Sequence, residues 1–156
     1  MNNTIYLDTT IPSYYFDNRI SVRFQSNVTK DWFKQESSKY SIFLSETTIF
    51  ELQQGNYPNK TKIIKFISKF EILKNDIQIN KIADIYVKNY LMPKEFQGDA
   101  LHLAYASYYK IDFLLTWNCN HLANANKRQH IRVINDKLNL NIPEIITPLE
   151  LFRETK

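Results

Sequence analysis

The sequence predicts an α/β domain: a mostly parallel sheet covered by helices on both faces. Three observations carry this. Five short apolar, β-prone runs recur along the chain, helical patterns lie between them, and no repeat, linker or low-complexity block interrupts the order. The 156 residues suit one domain over 1–156, large enough to bury a core without staples. In parallel sheets of this kind ligands bind beyond the carboxyl ends of the strands, so chemistry is expected just after each apolar run.

The first run, Thr4-Ile5-Tyr6-Leu7, ends at Asp8 and reads as a buried strand. Pro12 suits the first turn of a helix carrying Tyr14, Tyr15 and Phe16. A polar stretch to about Lys39 is helical around Trp32 and Phe33, and Tyr40 to Leu44 is the second strand. Ser45 caps the next helix, and Gly55 closes it in the left-handed conformation. Pro58 opens a helix with Ile63, Phe66, Ile67 and Phe70 on one face and Lys62, Lys65 and Lys69 opposite. Ile72-Leu73 is a brief strand. Asp76 then caps a helix whose apolar stripe is Ile79, Ile82, Ala83, Tyr86 and Tyr90. Pro93 and Gly98 break the chain before a helix from Asp99 to about Tyr109, and Phe113 to Thr116 is the clearest strand. A basic, asparagine-rich segment leads to the last strand, Ile145-Ile146. Thr147, Pro148 and Glu150 then form a helix-start signature.

Composition excludes several functions. Two glycines, Gly55 and Gly98, allow no three-glycine dinucleotide fingerprint, and neither opens a phosphate-binding loop. The single Cys119 forbids an intrachain disulfide and a multi-cysteine zinc knuckle, which fits a reducing cytoplasm. No apolar run is long enough to span a membrane, and the N-terminus lacks the pattern of a signal peptide. The net charge of +4 permits an anionic partner such as nucleic acid without requiring one.

The strand-end rule selects acidic residues. Asp8 ends the first strand, Glu51 lies on the helix leaving the second, Asp99 opens the helix before the fourth, and Asn118 and Asn120 follow that strand. Two carboxylates about 4 Å apart repel by roughly 4 kcal/mol at an effective dielectric of 20, which protonation or a bound cation relieves. Magnesium and manganese suit such oxygen donors. Local alternatives remain: Asp8 and Asp99 as helix caps, Glu51 as a surface acid disfavoured by its helix dipole, and the asparagines as turn formers.

Taken in order, Tyr6-Leu7-Asp8-Thr9, Glu51-Leu52 with Gly55, Gly98-Asp99-Ala100-Leu101-His102-Leu103-Ala104, Leu114-Leu115-Thr116-Trp117-Asn118 and Ile146-Thr147-Pro148-Leu149-Glu150-Leu151 resemble a PIN domain. The likeness is to the VapC-type toxin nucleases of bacterial toxin–antitoxin pairs, and it runs from about residue 4 to 153. It implies a three-layer domain with about five parallel strands, and an Mg²⁺- or Mn²⁺-dependent endoribonuclease that hydrolyses RNA phosphodiesters in the cytoplasm. By the same resemblance Asp8, Glu51 and Asp99 are catalytic. Asp8 and Asp99 hold the ion, and Glu51 acts mostly through water at it. Thr9 and Thr116 orient carboxylates or substrate phosphate. The fourth position, commonly aspartate in the family, is Asn118 here. It either ligates the ion through its amide oxygen or forms a turn, and it puts a second metal in doubt. A cognate antitoxin protein and a homodimer are further implied.

Other residues read more plainly. His102 is a hydrogen-bonded structural histidine, His121 and His130 lack zinc-site spacing, and Cys119 has no base beside it. Trp117 is expected to pack under a loop. Arg128, with Lys127, His130 and Arg132, offers contacts to RNA phosphates, or else belongs to a solvated helix face. Tyr14, Tyr15, Phe16, Tyr108 and Tyr109 are expected as exposed aromatics for interfaces. The competing function is a catalytically weak PIN domain that binds nucleic acid or protein without cutting. A phospho-acceptor domain or a haloacid-type phosphatase fails, because Thr9 and Thr10 follow Asp8 where those folds need further acids.

Overall fold

Five strands and seven helices alternate along the chain in the computed structural model, which describes residues 2–152. Met1 and 153–156, the ends of the expected domain, lie outside the described residues. The order is β1 (Asn3–Leu7), α1 (Thr10–Tyr15), α2 (Arg23–Gln35), β2 (Tyr40–Ser45), α3 (Glu46–Gln53), α4 (Lys60–Ile67), β3 (Glu71–Leu73), α5 (Ile77–Lys88), α6 (Gln97–Tyr108), β4 (Phe113–Leu115), α7 (Ala125–Lys137) and β5 (Glu144–Ile146). Short 3₁₀ turns flank them, including Lys94–Phe96 before α6 and Pro148–Leu151 after β5.

The strands form one all-parallel sheet in the order β3-β2-β1-β4-β5. β1 is central. Tyr6 lies opposite Phe43 and Leu114, and Leu114 opposite Ile145. Alternation then splits the core in two. Tyr6, Leu114 and Ile145 face a layer built by α5, α6 and α7, where Ile79, Tyr86, Leu103 and Ile131 are buried. Ile5, Leu7, Leu44 and Leu115 face the other layer, where Ile11, Trp32, Leu52, Ile63 and Ile67 are buried. The strand ends that carry Asp8 and Thr116 are thereby pressed between two helical layers.

The helix starts follow capping chemistry. Ser45, Asp76 and Asn124 each accept a backbone N–H of the helix they precede, and Thr147 and Glu150 complete a capping box. The stops are less ordinary. With so few glycines, the chain ends α5, α6 and α7 by placing Tyr90, Lys110 and Asn139 at φ of 60°, 56° and 53°. The next residue's N–H then reaches back to Tyr86, Ala106 and Asn135, as in a Schellman motif.

Three expectations change. Tyr90 does not continue the buried stripe of α5: the helix has already stopped, and its ring is 89% exposed. α6 begins before Asp99, so Gly98 lies inside its first turn and Asp99 makes no capping hydrogen bond. The expected interface aromatics are mostly half-buried, since Tyr15 and Phe16 pack with Phe33 and Phe66 on the outer side of the sheet.

Candidate active site

Asp8 leaves the end of β1 buried, because both its oxygens are taken by hydroxyls, one from Thr10 beside it in sequence and one from Thr116 at the end of β4. Oδ1 accepts the Thr10 N–H at 3.0 Å and the Thr10 hydroxyl at 2.5 Å, and Oδ2 accepts the Thr116 hydroxyl. The same carboxylate thus fastens the first turn of α1 and faces the pocket. Burial, with Asp99 adding to it, pushes the carboxyl up to about 6 against the pull of His102 and the hydroxyls. Such an upward shift marks negative charge that the protein compensates incompletely.

Glu51, in the last turn of α3, has a different environment. Thr9 donates its hydroxyl to Oε2 at 2.9 Å, and His102 Nε2 lies 2.8 Å from Oε1, in an ion pair set off the ring N–H axis. Burial raises the carboxyl, but the close ion pair with His102, then Thr9, outweigh it and hold it below the usual range. Gly98 makes the bed for this side chain: a Cβ there would stand 3.1 Å from Glu51 Oε1.

His102 projects from α6 one turn after Asp99 and is almost fully enclosed. Its Nδ1 lies 2.6 Å from the Tyr6 hydroxyl, which lies 2.7 Å from Ser45 Oγ. Burial disfavours the charged ring, yet Glu51, then Asp8 and Asp99, hold its pKa above the ordinary histidine value. As an imidazolium the ring donates toward Glu51 on one side and to Tyr6 on the other. Tyr6 keeps its proton, since burial raises its phenol far above the usual value, and so can donate to Ser45.

Asp99 is raised by burial and by Glu51, against His102, His121 and Asn118. Asn118 turns its amide nitrogen to Asp99 Oδ2 at 3.0 Å, while its amide oxygen accepts the His121 N–H at 3.1 Å. The opposite amide orientation would set oxygen against oxygen and N–H against N–H. The oxygen considered as a metal ligand is therefore used within the loop, and Asn118 gives the acids a donor. Its own N–H donates to Thr116 Oγ1 at 2.9 Å.

Arg128 is elsewhere. Its Nε and Nη2 both donate to the Ile145 carbonyl, with Glu150 at 3.7 Å, so it secures the edge strand β5 rather than meeting the acids. Trp117 is half-buried against Tyr14 and donates its ring N–H to Thr29 Oγ1 at 2.8 Å. Cys119 is a free, exposed thiol. Nothing in the sequence marks Tyr6, Ser45 and Thr10 as part of the site. Tyr6 reads as core from its strand pattern, and only its partners show the polar end. His102 was visible as three residues after Asp99, but not the ion pair that gives it meaning.

Among the described residues, no three His, Cys, Asp or Glu side chains are grouped so as to hold a metal ion by themselves. A magnesium site does not need three, since the ion keeps several waters and takes one or two carboxylates. Asp8 and Asp99 are the carboxylates suited to it: neither is paired with a cation in direct contact, and Asp99 Oδ1 accepts no hydrogen bond among the described residues. Glu51 already has a cation in His102. A groove of about 450 Å³ opens over Glu51 and Asp99, walled by Phe50 and Phe96. The larger hollow, about 550 Å³, lies between the end of α1 and the start of α4, away from the acids.

No family model matches the sequence, and no curated protein matches it. Solved structures do. A toxin–antitoxin complex from Klebsiella pneumoniae shares the architecture at a TM-score of 0.61 and 19% identity, over 93% of this chain and 98% of that one. The VapBC2 structure from Rickettsia felis, bound to a DNA fragment from its promoter, does so at 0.53 and 15%, over 92% and 98%. The fold is that of the PIN domain. Its five parallel strands and flanking helices are the arrangement that the sequence resemblance implied, and in this PIN fold Asp8, Glu51 and Asp99 stand at one edge of the sheet.

Proposed function

We propose that the chain is an Mg²⁺- or Mn²⁺-dependent endoribonuclease, the toxin of a toxin–antitoxin pair, working in the cytoplasm as a homodimer restrained by a protein antitoxin. The observation that carries the nuclease is that Thr116 and Asn118 join Asp8 to Asp99 by hydrogen bonds at the carboxyl edge of the sheet, where burial pushes Asp8 up to about 6. The toxin–antitoxin complexes that share the fold support the antitoxin.

Asp8 and Asp99 would hold the ion, which would supply positive charge to polarise a phosphodiester and to acidify the attacking water. The chain's own residues divide the remaining work. Thr10 and Thr116 fix the Asp8 carboxylate, and Asn118 steadies Asp99. Glu51, held ionised by His102 and Thr9, is a weak base, so it orients water by accepting a hydrogen bond rather than removing its proton. His102 keeps that carboxylate in one position.

Labelled RNA incubated with the purified protein and Mg²⁺ or Mn²⁺ tests this. Cleavage should disappear in EDTA and fall at least ~100-fold in Asp99→Asn. Well-folded, antitoxin-free protein that cuts no RNA with either metal would overturn the nuclease. His102 and Asn118 favour the alternative to that extent, because they already give the acids a cation and a donor: RNA binding without metal-dependent cleavage would make the chain a PIN-fold binding module.

A further inference from the structure

An anionic pocket repels the anionic strand it is proposed to cut, so a nuclease of this design needs positive charge close by. Arg128 does not supply it. A polar notch of about 180 Å³ at the start of α2 carries positive charge, lined by Asp17 and Asn18, then Arg19, Arg23, Ser26, Asn27 and Lys30. Asp17 and Arg19 cancel, since Arg19 Nη2 donates to Asp17 Oδ2 at 2.7 Å and Nε to both oxygens at 3.0 and 3.1 Å. Arg23, Ser26, Asn27 and Lys30 follow i, i+3, i+4, i+7 spacing and share one face of α2. Arg23 and Lys30 have no hydrogen-bond or ion-pair partner among the described residues. Ser26 is 2% exposed, lines the notch, and its hydroxyl likewise meets no partner among the described residues.

Two uncommitted cations and a buried hydroxyl suit an oxyanion of single charge. The connection to the acids identifies which one. Thr29, three residues and just under one turn beyond Ser26, accepts the Trp117 ring N–H at 2.8 Å. The Trp117 backbone N–H donates to Thr10 Oγ1 at 2.9 Å, and that hydroxyl donates to Asp8. The helix that carries the notch is therefore tied to Asp8 through Thr29, Trp117 and Thr10. Resting on the nuclease function proposed for the acidic pocket, we propose that Arg23 and Lys30, with Ser26 beneath them, hold a backbone phosphate of the RNA strand that flanks the bond in that pocket.

Fluorescence anisotropy with a labelled single-stranded RNA oligonucleotide, in EDTA so that nothing is cut, reads this directly. Arg23→Ala/Lys30→Ala should weaken binding roughly tenfold at low salt and reduce the slope of log K against log salt by about 0.7 for each phosphate the variant no longer neutralises. Lys62→Ala/Lys65→Ala, which removes the same charge from the face of α4, should leave both unchanged; circular dichroism checks that each variant is folded. Equal weakening in the two double variants, or none in the first while the parent binds, overturns the notch and leaves the nuclease standing. A parent protein that binds no RNA removes both.

Discussion

His102 shows how a single side chain sets the electrostatics of this pocket. It lies against Tyr6 and Glu51, and its charge also bears on Asp8 and Asp99. The pH dependence follows from the direction of each shift. The ring's folded pKa is raised above 6.5, so its stabilisation is present below that value and lost as pH climbs through the folded one. Asp8, raised from 3.8 to about 6, retains in the folded state a proton that the unfolded chain has released, so stability again falls as pH rises between those values. Asp99 acts in the same direction. Glu51 opposes them only in acid: its stabilisation is present above 4.5 and lost as pH drops through its lowered folded value. Metal-free protein should therefore melt at a lower temperature at pH 8 than at pH 5.5, and His102→Gln should flatten the difference. Identical pH profiles for the two proteins in EDTA would refute the ion pair.

At the scale of elements, the glycine-poor composition has a measurable consequence at the helix ends. Lys110 holds a left-handed backbone conformation that its Cβ resists by roughly 1–2 kcal/mol, partly offset by the extra freedom glycine gives the unfolded chain. Lys110→Gly should accordingly stabilise the fold by about 0.5–1 kcal/mol, seen in urea unfolding as a higher midpoint with an unchanged slope. A lower midpoint would mean that Lys110 makes a compensating contact. The same ends show what the sequence could and could not reveal. Short β-prone runs and Ser45, Asp76 and Thr147 announce their elements, because a strand and a cap are written in adjacent residues. Tyr90 fits the 3.6-residue period of α5 and still lies outside it, because the usual signal of a stop, a glycine, is missing. At the site, Asp8, Glu51 and Asp99 were legible from their positions after strands. The destination of Arg128 was not, since it depends on a carbonyl of β5 17 residues away. Nor was the amide orientation of Asn118, which the His121 N–H decides.

Across the whole molecule, one pair of residues closes the opposite end of the sheet. Asp112 Oδ2 accepts the Thr4 N–H at 2.8 Å and its hydroxyl at 3.1 Å, the Asp112 N–H returns a bond to Thr4 Oγ1 at 2.9 Å, and the Asp112 carbonyl accepts the Glu144 N–H. Asp112, just before β4, thus ties β1, β4 and β5 together. Asp112→Ala should lower stability by about 1–2 kcal/mol by chemical denaturation, and a neutral result would show that water replaces it fully. The central place of β1 reaches further, to the ribosome. Its two flanking strands are made at very different times: β2 follows closely, whereas Leu114 is synthesised 108 residues after Tyr6. At about 5–20 residues per second that interval is roughly 5–20 s. Asp8 has neither its Thr116 hydroxyl nor Asp99 beside it until then, so a growing chain carries no acidic pocket for most of its synthesis.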